Sequence, residues 1–229
     1  MAANTTSISR RAWIGTARLV LFLALLLFAP AWSLHYWQAW LYGFIFVAST
    51  SLIAGYFLKH DPKLVERRIA VGPAAEERPE QKIIMTLTSI AFVLLLAVPG
   101  FDHRWHWSTV PSWLVLAANG IVALSFVIFF LVLNQNRYAA STIRVEANQP
   151  VISTGAYAIV RHPLYAGALL LVFFTPLALG SYWGLLVLIP IVPVLAWRLL
   201  DEEQYLSSHL PDYAEYCRKT RYRLIPLVW

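Results

Sequence analysis

The sequence predicts an all-α, polytopic membrane protein, because it is too apolar for water and its apolar residues come in helix-length runs. Of the 229 residues, 59% are hydrophobic and 13% are charged, whereas soluble domains have about 45–50% apolar and about 25% charged residues. A bilayer core about 30 Å thick needs roughly 20 helical residues to cross it. The composition therefore excludes both a soluble domain and a disordered chain.

About six apolar segments have the composition of membrane helices. In chain order they are 17–34, 36–58, 83–100, 113–133, 165–180 and 182–200. The last two are short and are separated by Ser181, so they are predicted to form a tight helical hairpin. The first resembles a signal peptide, but we expect it to be retained because a proline at Pro30 disfavours cleavage and five further segments anchor the chain.

The positive charges predict the orientation of these segments. With a cytoplasmic N-terminus, all but Arg104 of the 18 lysines and arginines fall in cytoplasmic stretches, as the positive-inside rule requires. The cytoplasmic cations are Arg10, Arg11, Arg18, Lys59, Lys63, Arg67, Arg68, Arg78, Lys82, Arg137, Arg144, Arg161, Arg198, Arg218, Lys219, Arg221 and Arg223. The topology is thus N-in, C-in, and the net charge of +6 reflects contact with anionic lipid rather than a nucleic-acid partner.

Two absences narrow the function. No charged residue falls inside an apolar segment between Leu19 and Trp197, which argues against ion or proton transport. Cys217 is the single cysteine, so the chain has no internal disulfide and no cysteine-based zinc site, and we expect no bound metal.

The first candidate site lies where the fifth segment enters the membrane. Pro163 disfavours helix at His162 and suits the first turn of the helix that follows. Arg161 and His162 are therefore predicted on extended backbone at a helix N-terminus, where free N–H groups attract an anion. The alternative is a capped turn with an arginine that reaches to the interface.

The second candidate site lies where the sixth segment leaves the membrane, at Arg198, Asp201, Glu202 and Glu203. Carboxylates in the last turn of a helix oppose its dipole, so they need a cation or a hydroxyl-bearing ligand. Arg198 and Glu202 share one face of the helix, and Glu203 is rotated by about 100°. The alternative is a set of solvated acids paired with Arg198.

A hairpin returns the chain to the side it left, so both clusters should meet in one pocket. Such a pocket has an anion receptor, aromatic faces and carboxylates. These groups complement a ligand with a carboxylate, a cation and a diol, as in S-adenosylmethionine, because a sulfonium favours aromatic faces. A nicotinamide dinucleotide also fits these requirements.

The pattern Gly155-x-Tyr157-x-x-x-Arg161-His162-Pro163-x-Tyr165, followed by Arg198-x-x-x-Glu202-Glu203, resembles the isoprenylcysteine carboxyl methyltransferase family and its phospholipid methyltransferase relatives. The resemblance covers residues 134–229 and implies a methyltransferase-like region there, preceded by a region of four spans over 1–133. It implies S-adenosylmethionine as methyl donor. It also implies a lipophilic or small-thiol acceptor at the membrane, and a bacterial inner membrane with the site facing the cytoplasm.

The resemblance also implies roles for individual residues. The cofactor contacts that it implies are Gly155, Tyr157, Arg161, His162, Pro163, Tyr165, Glu202 and Glu203. The catalytic groups that it implies are Arg198, Glu202 and His162. The acceptor stays open among an isoprenylcysteine-like carboxylate, a lipid amine and a small thiol. After Leu206, the spacing of Leu210, Tyr213 and Tyr216 predicts an interfacial helix that closes over the cofactor.

Two other functions remain open at this stage. One is an NADPH-dependent membrane reductase for sterol-like or enone lipids, since that group has a similar Arg-His-Pro hairpin. The cations Arg218, Lys219, Arg221 and Arg223 would then bind the 2′-phosphate. The other is a non-catalytic membrane protein that binds lipid.

Overall fold

The computed structural model is all-helical over the residues that it describes, which are 2–69, 71–143, 145–146 and 149–229. Arg144, one of the cations assigned to the cytoplasmic side, lies outside the described residues. The helices are α1 (Ala2–Ala31), α2 (Trp37–His60), α3 (Pro62–Ile69), α4 (Pro79–Trp105), α5 (Ser112–Gln135), α6 (Ala156–Ile159), α7 (Pro163–Ala178), α8 (Leu188–His209) and α9 (Tyr213–Lys219). Short 3₁₀ turns at Pro73–Ala75 and Trp183–Val187 precede α4 and α8.

Five helical stretches in the described chain are long and apolar enough to cross a membrane. They are Ser7–Ala31, Trp37–His60, Pro79–Trp105, Ser112–Gln135 and Trp183–His209. The sixth apolar segment forms α7, which has 16 residues and is shorter than a usual span. The prediction of a polytopic helical membrane protein is confirmed.

The bundle packs a small interior and exposes apolar side chains outward. Tyr42 and Val122 are fully buried, whereas Phe44 is 72% and Leu52 74% exposed on α2. Large aliphatic and aromatic side chains exposed in this way are suited to lipid and not to water. Inside the bundle, the Tyr42 hydroxyl lies 3.1 Å from Thr175 Oγ1, which joins α2 to α7.

The helices α7 and α8 form the predicted hairpin, but each arm packs mainly on another helix. The arm α7 lies along α5, and α8 lies against α4. At Gly167 the approach of α5 is so close that a Cβ would meet Phe129 Cε1 at 2.9 Å. The glycine therefore allows α7 to approach α5 closely. The two arms of the hairpin pack against different helices.

Asp102 anchors the connection between α7 and α8, at the end of the bundle where α7 ends and α8 begins. Its buried carboxylate accepts hydrogen bonds from the Ser108 and Ser181 hydroxyls and from the Ser108 amide at 2.8 Å. These bonds fix the α7–α8 connection to the end of α4. Asp102 is thus satisfied by serines, and the described residues contain no cluster of His, Cys, Asp and Glu that would hold a metal.

Two shorter helices lie at the end of the bundle where α7 begins and α8 ends, which we call the polar end. The helix α9 occupies the segment predicted to be an interfacial helix. The helix α3 was not predicted, because its eight residues lie inside a polar stretch. It packs on α1 and α2 through the buried side chains of Leu64 and Val65.

Candidate active site at the polar end

The first motif lies where predicted, directly before α7. Pro163 is the first residue of α7, and His162 before it has an extended φ of −125°. The backbone amides of Arg161 and His162 donate to the carbonyls of Tyr222 and Arg223, at 2.9 and 3.0 Å. The C-terminal segment, which we define as residues 211–229, therefore pairs with the motif and positions it.

Glu203 is the anionic centre of the contact between α7, α8 and the C-terminal segment. Its carboxylate accepts hydrogen bonds from Arg161 Nη1 at 3.0 Å and from Arg223 Nε at 2.8 Å. Arg161 also donates to the carbonyls of Cys217 and Thr220, at 2.8 and 2.7 Å. The partners of Arg161 in the structure are thus a carboxylate and two carbonyls of the chain itself.

Glu202 is placed differently from its neighbour. It lines the cavity described below, and its Oε2 accepts a 2.6 Å hydrogen bond from the Tyr165 hydroxyl. Among the described residues no donor reaches its other oxygen. One helical step separates the two glutamates by about 100°, so Glu203 binds arginines while Glu202 faces the cavity.

Arg198 joins the hairpin to the segment before α4. It donates to the Tyr165 hydroxyl at 3.0 Å, to Glu76 at 3.1 Å and to Gln81 at 2.8 Å, and to the Ser141 carbonyl at 2.9 Å. These bonds use four of the five N–H donors of a guanidinium. Arg198 therefore positions Tyr165 and retains one N–H beside the cavity.

The network extends from Arg198 to Asp201 of α8. The sequence analysis placed this carboxylate and the two glutamates in the last turn of a helix, but α8 continues to His209, so they lie about two turns before its end. Fully buried Gln81 also donates from its side-chain amide to Asp201. Arg78 binds the same carboxylate through two hydrogen bonds, at 2.7 and 2.8 Å. The sequence analysis missed Glu76, Arg78 and Gln81, because they lie before α4 or in its first turn and are more than 110 residues from their partners.

Tyr157 closes another side of the site. Its hydroxyl accepts a 2.9 Å hydrogen bond from Asn136 Nδ2, and burial raises the pKa of this phenol, so the ring stays neutral. The turn before it depends on Gly155, which has a φ of +60°. A Cβ there would lie 2.6 Å from Gln135 Oε1, so Gly155 shapes the loop that carries Tyr157.

A cavity of about 810 Å³ opens between these groups. At one side it is lined by polar residues, among them Tyr157, His162, Tyr165, Arg198 and Glu202. At the other side it runs between apolar residues of α1, α2 and α5, which include Leu19, Ile53, Phe57, Phe126 and Phe129. A polar site is thereby joined to a space suited to a lipid chain.

Two buried polar atoms in the cavity wall have no hydrogen-bond partner among the residues that the structure describes. They are His162 Nε2 and the Tyr213 hydroxyl, on side chains that are 5% and 4% exposed. His162 Nε2 lies 3.4 Å from Glu203 Oε1 without the alignment of a hydrogen bond. An unsatisfied buried polar atom is costly, so a bound ligand that supplies partners would be favoured here.

The two motifs of this site lie in a part of the chain that is similar to a known protein family. Residues 113–212 match the model of the phospholipid methyltransferase family. This part of the chain is therefore similar to that family. This region runs from α5 to the start of the C-terminal segment and includes both motifs, so the resemblance seen in the sequence is confirmed.

A second similarity lies in another class of membrane enzyme. A Delta(14)-sterol reductase of Mus musculus is 33% identical over 95 residues, which make up 38% of this chain and 22% of the reductase. The chain therefore matches only a small part of that relative's length. The segment that matches the phospholipid methyltransferase family includes α5, α7 and α8, whereas Arg78, Gln81 and α3 lie before it.

Proposed function

We propose that this protein transfers a methyl group from S-adenosylmethionine to a lipophilic or membrane-associated acceptor. The observation that carries the proposal is the single cavity that joins the motif residues to an apolar space between the helices. A soluble donor and a lipid-borne acceptor can meet there without water between them. The match to the phospholipid methyltransferase family supports methyl transfer as the reaction.

The donor set fits this cofactor. His162 Nε2 and the Tyr213 hydroxyl have no partner among the described residues and would bind its polar groups. Glu202 has an oxygen available for ribose hydroxyls, and the rings of Tyr157 and Tyr165 offer faces to a cation. Arg161 and Glu203 would act by holding the C-terminal segment over these groups, and Gly155 and Pro163 by shaping the backbone.

S-adenosylmethionine supplies an activated methyl group on a sulfonium, so the residues of the chain mainly orient the acceptor and exclude water. When bound, the donor would supply its methyl carbon to the nucleophile of the acceptor and would leave as S-adenosylhomocysteine. If the acceptor is an amine or a thiol, its proton passes to His162 Nε2 or to Glu202. If it is a carboxylate, no proton moves and the remaining N–H of Arg198 would orient it.

An NADPH-dependent reductase is the second candidate, because of the 33% identity to the sterol reductase. The four cations that would bind the 2′-phosphate of NADPH do not line the cavity. Arg218, Lys219 and Arg221 are exposed and do not line the cavity, and Arg223 is bound to Glu203. This arrangement favours methyl transfer over binding of a 2′-phosphate.

We place the polar end at the cytoplasmic face of a bacterial inner membrane. The motif residues, Arg198 and the C-terminal segment all lie at the end that the positive-inside rule assigns to the cytoplasm. The cofactor would reach the cavity from the cytoplasm, and the acceptor would reach it from the lipid.

Incubation of the purified protein with methyl-labelled S-adenosylmethionine and with extracted lipids, membrane proteins or small thiols tests the proposal. We expect label in one acceptor class, and at least tenfold less with Glu202→Gln, because hydrogen bonds to charged groups contribute about 1.5–3 kcal/mol. Glu215→Gln is the matched control, since Glu215 is exposed on α9 and its ion-pair partner among the described residues is Lys219. No transfer to any class, or equal transfer by both variants, would refute it.

A further inference from the structure

Arg68 is a cation in the cavity wall that the proposed cofactor contacts do not use. It lies on α3 and lines the cavity, and the phenols of Tyr157 and Tyr165 are among its electrostatic neighbours. Its guanidinium makes one hydrogen bond to a described residue, a long one from Nη1 to the Ala139 carbonyl at 3.4 Å. No carboxylate among the described residues pairs with it.

The other buried or half-buried arginines of the polar end each have a carboxylate. Arg67 binds Glu146 at 2.6 Å, Arg78 binds Asp201 at 2.7 Å, and Arg198 binds Glu76 at 3.1 Å. Burial lowers the pKa of the Arg68 guanidinium, although an arginine keeps its charge in a protein. Arg68 is half-buried, and a partly desolvated charge with no counter-charge among the described residues is unfavourable, so this position favours an incoming anion.

The residues around Arg68 indicate which other chemical group the anion must have. Beside Arg68 the cavity wall continues through Thr50, Ile53, Ala54 and Phe57 of α2, and through Phe129 and Leu133 of α5. Glu202 is the one carboxylate in the wall as the structure describes it, against the cations Arg11, Arg68, Arg161 and Arg198. A positive site thus borders a mainly apolar space at the depth of the spans.

We infer that Arg68 binds the anionic headgroup, a carboxylate or a phosphate, of an amphiphile whose chain lies along α2 and α5. The inference rests on the proposed function in that the amphiphile is the methyl acceptor. Arg68 then sets acceptor specificity by charge from a part of the chain that precedes the segment matching the phospholipid methyltransferase family. It is a binding residue and takes no part in proton transfer.

Ligand-dependent stabilisation of the purified protein tests this binding residue. The probes are oleyl phosphate, oleate, oleyl alcohol and inorganic phosphate, each titrated in neutral detergent while Tm is measured, because a ligand of the native state raises Tm. We expect oleyl phosphate and oleate to raise Tm, and oleyl alcohol and inorganic phosphate to have little effect. Equal stabilisation by the alcohol and the two anions would overturn the inference without any variant.

The variants Arg68→Gln and Lys63→Gln remove the same charge from the same helix. Lys63 is exposed and does not line the cavity, so its variant should bind oleyl phosphate as the wild type does. We expect Arg68→Gln to weaken this binding by about 10- to 100-fold, as for a lost charge-assisted hydrogen bond, and Arg68→Lys to restore part of it. Unchanged affinity in Arg68→Gln would overturn the inference.

Calorimetric titration of the same variants with S-adenosylmethionine separates the two proposals. We expect Arg68→Gln to bind this cofactor with unchanged affinity, which also shows that the variant is folded. Loss of cofactor affinity with oleyl phosphate binding intact would assign Arg68 to the cofactor and overturn the inference. Absence of cofactor binding by the wild type would refute the proposed function, whereas the comparison of oleyl phosphate with oleyl alcohol would still decide whether Arg68 binds an anion.

Discussion

At the scale of single residues, the adjacent glutamates Glu202 and Glu203 of α8 have different surroundings. Glu203 is bound to Arg161 and Arg223 and is 8% exposed, whereas Glu202 faces the cavity with Tyr165 as its donor. The sequence predicted both as cofactor contacts and could predict their different directions from the helical step. It could not show which side the arginines occupy, because that depends on the position of the C-terminal segment.

Substitution of each glutamate by glutamine should therefore change the stability of the fold to different extents. Glu203→Gln leaves Arg161 and Arg223 without a counter-charge, so we expect it to destabilise the fold by about 3 kcal/mol. Glu202→Gln keeps the hydrogen bond to Tyr165 and should change stability by less than about 1 kcal/mol. The measurement is the denaturation midpoint of both variants in detergent, and a larger loss in Glu202→Gln would contradict these assignments.

Tyr213 and Tyr216 allow a second comparison on one helix. The Tyr213 hydroxyl is buried without a partner among the described residues, whereas the Tyr216 hydroxyl donates to the Tyr157 carbonyl at 2.8 Å. We expect Tyr213→Phe to weaken S-adenosylmethionine binding about tenfold at unchanged stability, and Tyr216→Phe to lower stability by about 1 kcal/mol. Cofactor titration beside thermal unfolding measures both, and intact cofactor affinity in Tyr213→Phe would remove this residue from the site.

At the scale of elements, the C-terminal segment completes the site by pairing with the Arg-His-Pro motif. The amides of Arg161 and His162 bind carbonyls of Tyr222 and Arg223, and Arg223 reaches back to Glu203. The hairpin and α9 follow from proline positions and apolar spacing in the sequence. The pairing joins residues about 60 positions apart and has no local pattern that would predict it.

The neighbouring arginines of this segment provide a matched pair. Arg223 binds Glu203 and stacks over Trp229, whereas Arg221 is exposed. We expect Arg223→Ala to lower stability by about 1 kcal/mol, given its partial exposure, and to weaken cofactor binding, while Arg221→Ala changes neither. Tm and calorimetric affinity check this, and equal effects of the two changes would show that general positive charge, not the Glu203 contact, matters.

The segment before α4 shows where sequence reasoning ends. Its residues Glu76 and Arg78, together with Gln81 in the first turn of α4, build the surroundings of Arg198 and Asp201. They are polar, they follow a helix of eight residues, and their partners lie far along the chain. The one local indication lies in α3, where two apolar residues, Leu64 and Val65, are followed by Arg67 and Arg68. This spacing is typical of an amphipathic helix with a basic face.

At the scale of the whole molecule, composition and charge were sufficient to predict the bundle. The apolar runs gave the spans because lipid requires each helix to be long and uncharged. Their packing could not be predicted in the same way. That α7 lies on α5 while α8 lies on α4, which leaves the cavity between them, follows from small close contacts such as Gly167 with Phe129.

Cysteine labelling tests the N-in, C-in orientation. Ser208→Cys and Ser112→Cys, each in a Cys217→Ser background, place one thiol at an exposed position near the polar end or at the opposite end. In intact bacterial cells a membrane-impermeant maleimide should label Cys at position 112 and should reach position 208 only after the membrane is opened. The reverse pattern would place the polar end outside the cytoplasm.

We propose that the cavity at the polar end binds S-adenosylmethionine through Glu202, His162 and Tyr213. The decisive measurement is calorimetric titration of the purified protein with S-adenosylmethionine and, separately, with NADPH. We expect saturable binding of the sulfonium compound, weakened at least tenfold by Glu202→Gln, and no saturable binding of NADPH. Saturable binding of NADPH with none of S-adenosylmethionine would contradict it.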